Sequence, residues 1–158
     1  MPTFIAIQIS GNSQLAVKNS EIENVSSSLE MIRATSSQAL VQNSTFQNIN
    51  ATLFTGRFTK LSIRDSQFLD SEAAKEFITL FDSSLLNITG TGFEQVSCGS
   101  RLVYLRFSQF ETSGDLTSFS QISSTVLFFQ NVEFSIDNLQ ISDSAQGVVM
   151  KKSAGQFI

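Results

Sequence analysis

The chain has no histidine and no tryptophan, and only one cysteine, one proline and one tyrosine. Without His it lacks the side chain that most often moves protons near neutral pH. With Cys98 alone it can form no intrachain disulfide and no cysteine metal cluster. Cys98 reads as a small core or turn residue, because few cations are at hand to lower its pKa. Clustered positive charge is missing too. Ten Lys and Arg stand against 14 Asp and Glu, a net charge of −4, and Lys151-Lys152 is the only adjacent basic pair. A nucleic-acid partner needs basic clusters, so none is expected. No apolar run approaches the roughly 20 residues of a membrane helix. The opening "MPTFIAIQIS" has neither the basic start nor the continuous apolar centre of a secretory signal. It reads as a strand with Ile5, Ile7 and Ile9 on one face.

What is present points to strands. The 158 residues are 41% hydrophobic and 15% charged, enough for one domain with a real core. Fifteen Phe dominate the apolar set. β-branched and aromatic residues alternate with Ser, Thr, Asn and Gln, as strands with one buried face require.

One pattern recurs. "VKNSEIENV", "VQNSTFQNI", "IRDSQFLDS", "ITGTGFEQV" and "ISDSAQGVV" align on a central polar residue: Asn19, Asn43, Asp65, Gly90 and Asp143. The first four are 24, 22 and 25 residues apart. Three residues later stand Ile22, Phe46, Phe68 and Phe93, and Gln146 breaks the pattern. From Gly90 to Asp143 is 53 residues, room for one more copy, which "SGDLTSFSQIS" fills poorly with Phe119 and Ile122 in place of Phe93 and Val96. A second series of short apolar strands centres near Ile7, Met31, Phe54, Leu80, Leu105, Phe128 and Met150, at spacings of 22 to 26.

A shared period of this length selects a coil with two or three short strands per turn, each turn laid parallel on the last. Helical repeats would need amphipathic helices, and a leucine-rich repeat would need its own Leu frame. In the coil Val41 points inward, the chain turns sharply at Asn43, and Phe46 re-enters the core. Asn, Asp and Gly tolerate the left-handed backbone such a corner demands. A following Ser or Thr can bond nearby backbone groups. The expected core aromatic ladder is Phe46, Phe68 and Phe93.

"NSTFQNI", "DSQFLDS" and "GTGFEQV" at this spacing resemble the rungs of right-handed parallel β-helix proteins of the pectin-lyase-like group. The resemblance covers the whole chain and is weakest between Gly99 and Ser124. It implies an all-β parallel β-helix solenoid over residues 1–158, a single domain of about six to seven rungs of 22–26 residues, right-handed. The group holds polysaccharide lyases, glycosidases, adhesins and inert surface proteins, so it implies no one activity. The Phe- and Ser-rich, proline-poor composition is most similar to the non-enzymatic cell-surface members.

The chemistry-bearing residues mostly have structural readings. Asp65, Asp70 and Asp143 suit turns, since Asn43 and Gly90 replace them on neighbouring rungs. Glu72, Glu76 and Asp82 read as a solvated loop. No Asp-rich calcium motif, phosphate loop or nucleophile elbow occurs. No cofactor, metal or catalytic residue is assigned. Tyr104 alternates outward between Val103 and Leu105 and stands as a lone candidate contact for a sugar. Four N-glycosylation triplets begin at Asn24, Asn43, Asn50 and Asn87. Asn87 and Asn50 are the best placed, Asn24 follows, and Asn43 in its tight corner is the worst.

Strand pattern from Thr3 to the final Ile158, with no capping helix or charged edge, gives two expectations. The chain is a segment of a longer solenoid, or it stacks end to end with other copies. The favoured function is a structural or adhesive module of an extracellular or cell-surface scaffold or fibre. Polysaccharide binding or cleavage is the alternative. Outward carboxylates with Arg101 or Arg106 would favour it.

Overall fold

The computed structural model describes residues 6–158. Ile5, the first apolar residue of the expected opening strand, lies outside them. The described chain is all β, wound as a parallel solenoid of about six turns. Its first rung is β1 (Ile7–Ser10), β2 (Gln14–Lys18) and β3 (Glu21–Glu23). The second is β4 (Ser26–Thr35), β5 (Gln38–Gln42) and β6 (Thr45–Gln47). The third follows as β7 (Asn50–Arg57), β8 (Lys60–Arg64) and β9 (Gln67–Leu69). A short strand, β10 (Glu72–Ala73), precedes the fourth rung of β11 (Glu76–Phe81), β12 (Leu85–Thr89) and β13 (Gly92–Glu94). Likewise β14 (Ser97–Cys98) precedes β15 (Arg101–Arg106), β16 (Gln109–Thr112) and β17 (Thr117–Ser120). β18 (Thr125–Gln130), β19 (Glu133–Ile136) and β20 (Leu139–Ser142) make the sixth rung, and β21 (Gln146–Lys151) and β22 (Ala154–Phe157) lie on it.

Each rung gives one strand to each of three sheets, and every pairing is parallel. Sheet A runs β1-β4-β7-β11-β15-β18-β21, sheet B runs β2-β5-β8-β12-β16-β19-β22, and sheet C runs β3-β6-β9-β13-β17-β20. The seven strands on this path of sheet A, which β10 and β14 join as a side branch, are the second apolar series of the sequence, with Leu80 and Leu105 in direct register.

Three sheets require three corners per rung, and the backbone shows them all. Among the described residues every positive φ lies at a corner. The B–C corner uses Asn19, Asn43, Asp65, Gly90, Gly114 and Asn138. The C–A corner uses Asn24, Asn48, Asp70, Gln95, Gln121 and Asp143. Asp143 therefore does not continue the row of Asn19, Asn43, Asp65 and Gly90. It follows β20, whose Ile141 is in register with Phe119 of sheet C. Asp143-Ser144 and Asp70-Ser71 give the C–A corner the same left-handed residue and hydroxyl that Asn19-Ser20, Asn43-Ser44 and Asp65-Ser66 give the B–C corner, although Val or Ile follows at its other rungs, so one motif stood for two places.

The hydroxyl after the corner has a double role. Ser44 Oγ donates to the Gln42 carbonyl at 2.9 Å and accepts the Ser20 amide one rung away at 3.2 Å. Ser66 Oγ repeats this with the Arg64 carbonyl at 2.7 Å and the Ser44 amide at 3.2 Å. Ser71 at the C–A corner and Ser84 at the A–B corner take amides from Ile49 and Thr59. Each such oxygen satisfies one carbonyl and one amide that the sharp turn removes from the strand ladders.

Apolar side chains fill the tube in rows. In sheet C, Phe46, Phe68, Phe93 and Phe119 stack with centroids 4.9, 4.7 and 4.8 Å apart and planes within 17°. That spacing is the distance between rungs, about 4.8 Å. In sheet B, Val17, Val41, Ile63, Ile88, Thr112 and Ile136 share one row. Gly56 interrupts a row of sheet A for a reason: a Cβ there would stand 2.7 Å from Leu80 Cδ2 and 2.9 Å from a Phe54 ring carbon.

Candidate functional site

With the interior occupied by packing, chemistry is confined to the outer faces and the corners. The A–B corner differs from the other two. Its left-handed residues include Phe58 and Phe107, both at φ 52°, where other rungs use Ser36, Ser83 and Asn131. The left-handed region costs an L-residue roughly 1–2 kcal/mol, and a bulky side chain there is an outlier. Neither ring recovers that cost by burial, since they are 57% and 53% exposed. They stand two rungs apart, ~10 Å along the axis. An open groove of about 530 Å³ lies beside Phe58, lined by Ser37, Gln38, Lys60, Ser83 and Leu85 among others. Another of about 390 Å³ lies beside Phe107, with Ser84, Gln109, Asn131 and Glu133.

Sheet A presents a second aromatic group on its outer face, running up to this corner. Tyr104 faces outward, and its hydroxyl donates to Gln130 Oε1 at 3.1 Å. It is not alone. Phe81 and Phe128 pack edge-on against it, each with centroids 5.6 Å away. The Arg101 guanidinium lies 4.4 Å from the Tyr104 ring centre and 4.2 Å from that of Phe128. Arg106 sits 5.0 Å from Phe81 and 5.6 Å from Phe107, linking face and corner. Cations held over ring faces in this way are attracted by the ring quadrupole. Residue alternation could place Tyr104 outward but not its neighbours, because Phe81 and Phe128 become outward only once the register to Arg106 and Tyr104 is known.

The carboxylates are dispersed. Asp65 and Asp70 occupy different corners, and Asp70 accepts a bond from Gln47 Nε2 at 3.1 Å. Glu76 is not in a loop: it opens β11 and pairs with Arg101 at 3.6 Å, while Asp82 pairs with Arg57 at 3.4 Å. Glu72 lies in β10, in register with Ser97. Burial works against the charge of Glu30, yet its hydrogen bond to Arg33 holds the carboxyl below its ordinary range. Among the described residues no three His, Cys, Asp or Glu side chains are grouped to hold a metal ion. No helix there is long and apolar enough to cross a membrane. Cys98 is buried, and burial pushes its thiol up to about 12.

The triplet asparagines occupy three settings. Asn87 is half-buried on the outer face of sheet B, between the buried Leu86 and Ile88, and its Nδ2 lies 3.4 Å from Glu111 Oε2. Asn50 is exposed at the start of β7. Asn24 is exposed at a corner with φ 56°, and its Oδ1 accepts Asn48 Nδ2 at 3.2 Å. Asn43 donates its Nδ2 to Asn19 Oδ1 at 2.8 Å, which leaves only one of that nitrogen's two hydrogens free for a glycan to replace.

Charge is sorted by face. The strands of sheet C carry no Lys or Arg. Their outward positions and adjoining corners hold the exposed Glu21, Glu23, Asp65, Asp70, Glu94 and Asp143. At and beside the A–B corner stand Arg57, Lys60, Arg106, Lys151 and Lys152, half of the chain's ten basic residues, against the acidic Asp82 and Glu133. Lys18 and Arg64 flank the B–C corner, so the sorting is a net excess at each side.

No family model matches this chain, and no curated protein matches it. Among solved structures, a trypsin-treated variant of QnrB1, described as a plasmid-mediated fluoroquinolone resistance protein, aligns over 92% of each chain at 10% identity with a TM-score of 0.19. A likeness at that level carries no argument about fold or function.

Proposed function

We propose that the chain is a structural or adhesive module of an extracellular or cell-surface scaffold or fibre, working without a catalytic step. On this reading it belongs with the right-handed, pectin-lyase-like β-helices of the non-enzymatic surface type, and it associates with further β-helix segments or copies. The observation that carries the reading is the continuity of the three parallel sheets from the first rung to the last. Backbone hydrogen bonds along the axis and corners tied by buried hydroxyls make a rod that resists bending. Glycans on Asn87, Asn50 and Asn24 fit the same setting, with Asn50 the most accessible. Electron microscopy of the purified protein tests the reading. Rods longer than one unit support it, and dispersed single particles at high concentration count against it.

A second reading has its own support. The outward group of Phe81, Tyr104 and Phe128 with Arg101 offers flat apolar rings beside a hydrogen-bond donor, a surface suited to the faces and hydroxyls of a polysaccharide. Titration calorimetry against neutral and acidic oligosaccharides would detect it. Heat that disappears in Tyr104→Ala supports this reading, and no heat with any of them ends it.

A further inference from the structure

The exposed rings and the sorted charges belong together. The A–B corner is the vertex of the three-sided coil that points away from sheet C. A net excess of cations at one side and of carboxylates at the other therefore gives each rod two opposed, complementary surfaces. We propose that the A–B edge docks along sheet C of a second copy, so that rods assemble side by side. Phe58 and Phe107 are its apolar anchors, and Arg57, Lys60, Lys151 and Lys152 are its electrostatic guide. This rests on the scaffold reading and adds to it a lateral contact distinct from end-to-end stacking.

Three features favour a second copy as the occupant. The chain as a whole is acidic, at −4, yet its edge is basic, so the complementary surface is found on the same molecule. The cations recur on alternate rungs: Arg57 and Lys60 on the third, Arg106 on the fifth, Lys151 and Lys152 on the last. The carboxylates of sheet C stand on the first, third, fourth and sixth rungs, so a rod shifted by one or two rungs sets two of the three cationic levels against acidic ones. Finally, Phe58 and Phe107 hold a costly backbone conformation while more than half of each residue stays exposed, as residues kept for a contact elsewhere do, and of the two only Phe107 has a cation over its ring, Arg106. Because edge and face are different surfaces, the contact is heterologous and open, and it continues into sheets or bundles. One edge on one face is narrow. Repetition along the rod supplies the strength.

Sedimentation velocity of the whole protein tests this, at ionic strengths of about 0.01 M and about 1 M, where the Debye length is about 30 and 3 Å. Association at low salt that dissolves at high salt is expected. The edge variant Lys60→Glu/Lys151→Glu/Lys152→Glu and the face variant Glu21→Lys/Glu23→Lys/Glu94→Lys should each stay monomeric at low salt. Mixed in equal amounts, they should associate again, because each then meets its complement. Phe58→Asn/Phe107→Asn should stay folded by circular dichroism and associate at least tenfold more weakly. Association indifferent to salt and to all three variants would overturn the lateral contact and leave the scaffold reading standing. Wild-type monomers in every condition would overturn both. Association that needs an added acidic polysaccharide would assign the edge to that ligand instead.

Discussion

A left-handed corner suits asparagine and penalises phenylalanine, and this chain uses both at equivalent places. Asn131 and Phe107 occupy the same corner one rung apart, with φ of 54° and 52°. Replacing Phe58 by Asn should therefore raise stability, by about 1 kcal/mol, while removing an exposed ring. Denaturant unfolding measures this, and a loss of stability would mean that the ring packs usefully in its own molecule. Cys98 supplies a pH dependence. Its thiol is pushed up to about 12 by burial, against an ordinary value of 9.0. The unfolded chain thus loses this proton first as pH rises. The contribution of Cys98 to stability is level below about pH 9 and falls between there and about 12. At pH 8 the native thiol should resist iodoacetamide and react only after denaturation, as intact mass would report. Sequence indicated that Cys98 was structural from the lack of cations. It could not show that the corners number three, because a left-handed residue followed by a hydroxyl occurs at all of them, at the C–A corner only in Asp70-Ser71 and Asp143-Ser144.

The unit of packing is the row rather than the strand. Strands of three or four residues in sheet C are too short to stand alone, and the Phe46-Phe68-Phe93-Phe119 stack ties four of them into one element. Truncating Phe93, which sits between two stacked neighbours and is fully buried, should cost about 3–5 kcal/mol. Urea titration of Phe93→Ala checks this, and a cost under about 1 kcal/mol would show that the ladder is not cohesive. Much of this level was legible in the sequence. The period placed Phe46, Phe68 and Phe93, and it suggested Phe119 across the weakest copy. The apolar series fell on all seven strands of sheet A's main path, although Met31 stands beside Ile32, which holds the inward register with Phe54, and Phe128 beside Phe129, which holds it with Leu105. The outward aromatics were not legible. Phe81 and Phe128 sit in strands rich in apolar residues on both faces, where alternation alone does not separate inside from outside.

At the scale of the whole molecule, rungs repeat a nearest-neighbour interaction, so stiffness depends on whether corners are as firmly held as strands. Solenoid architecture was legible from the period, because only a coil repeats two interleaved patterns at 22 to 26 residues. The sorting of acid to sheet C and base to the opposite edge was not, since the ten basic residues look scattered until the chain is wound. Native-state amide hydrogen exchange is the most direct test of the rod. The amides of Ser44, Ile49 and Thr59 end on buried hydroxyls of the next rung, at 3.2, 3.2 and 3.0 Å. They should exchange as slowly as strand amides such as those of Ile63 and Leu80. Fast exchange at these three positions, beside protected strands, would describe three sheets joined by loose hinges and would contradict a rigid scaffold.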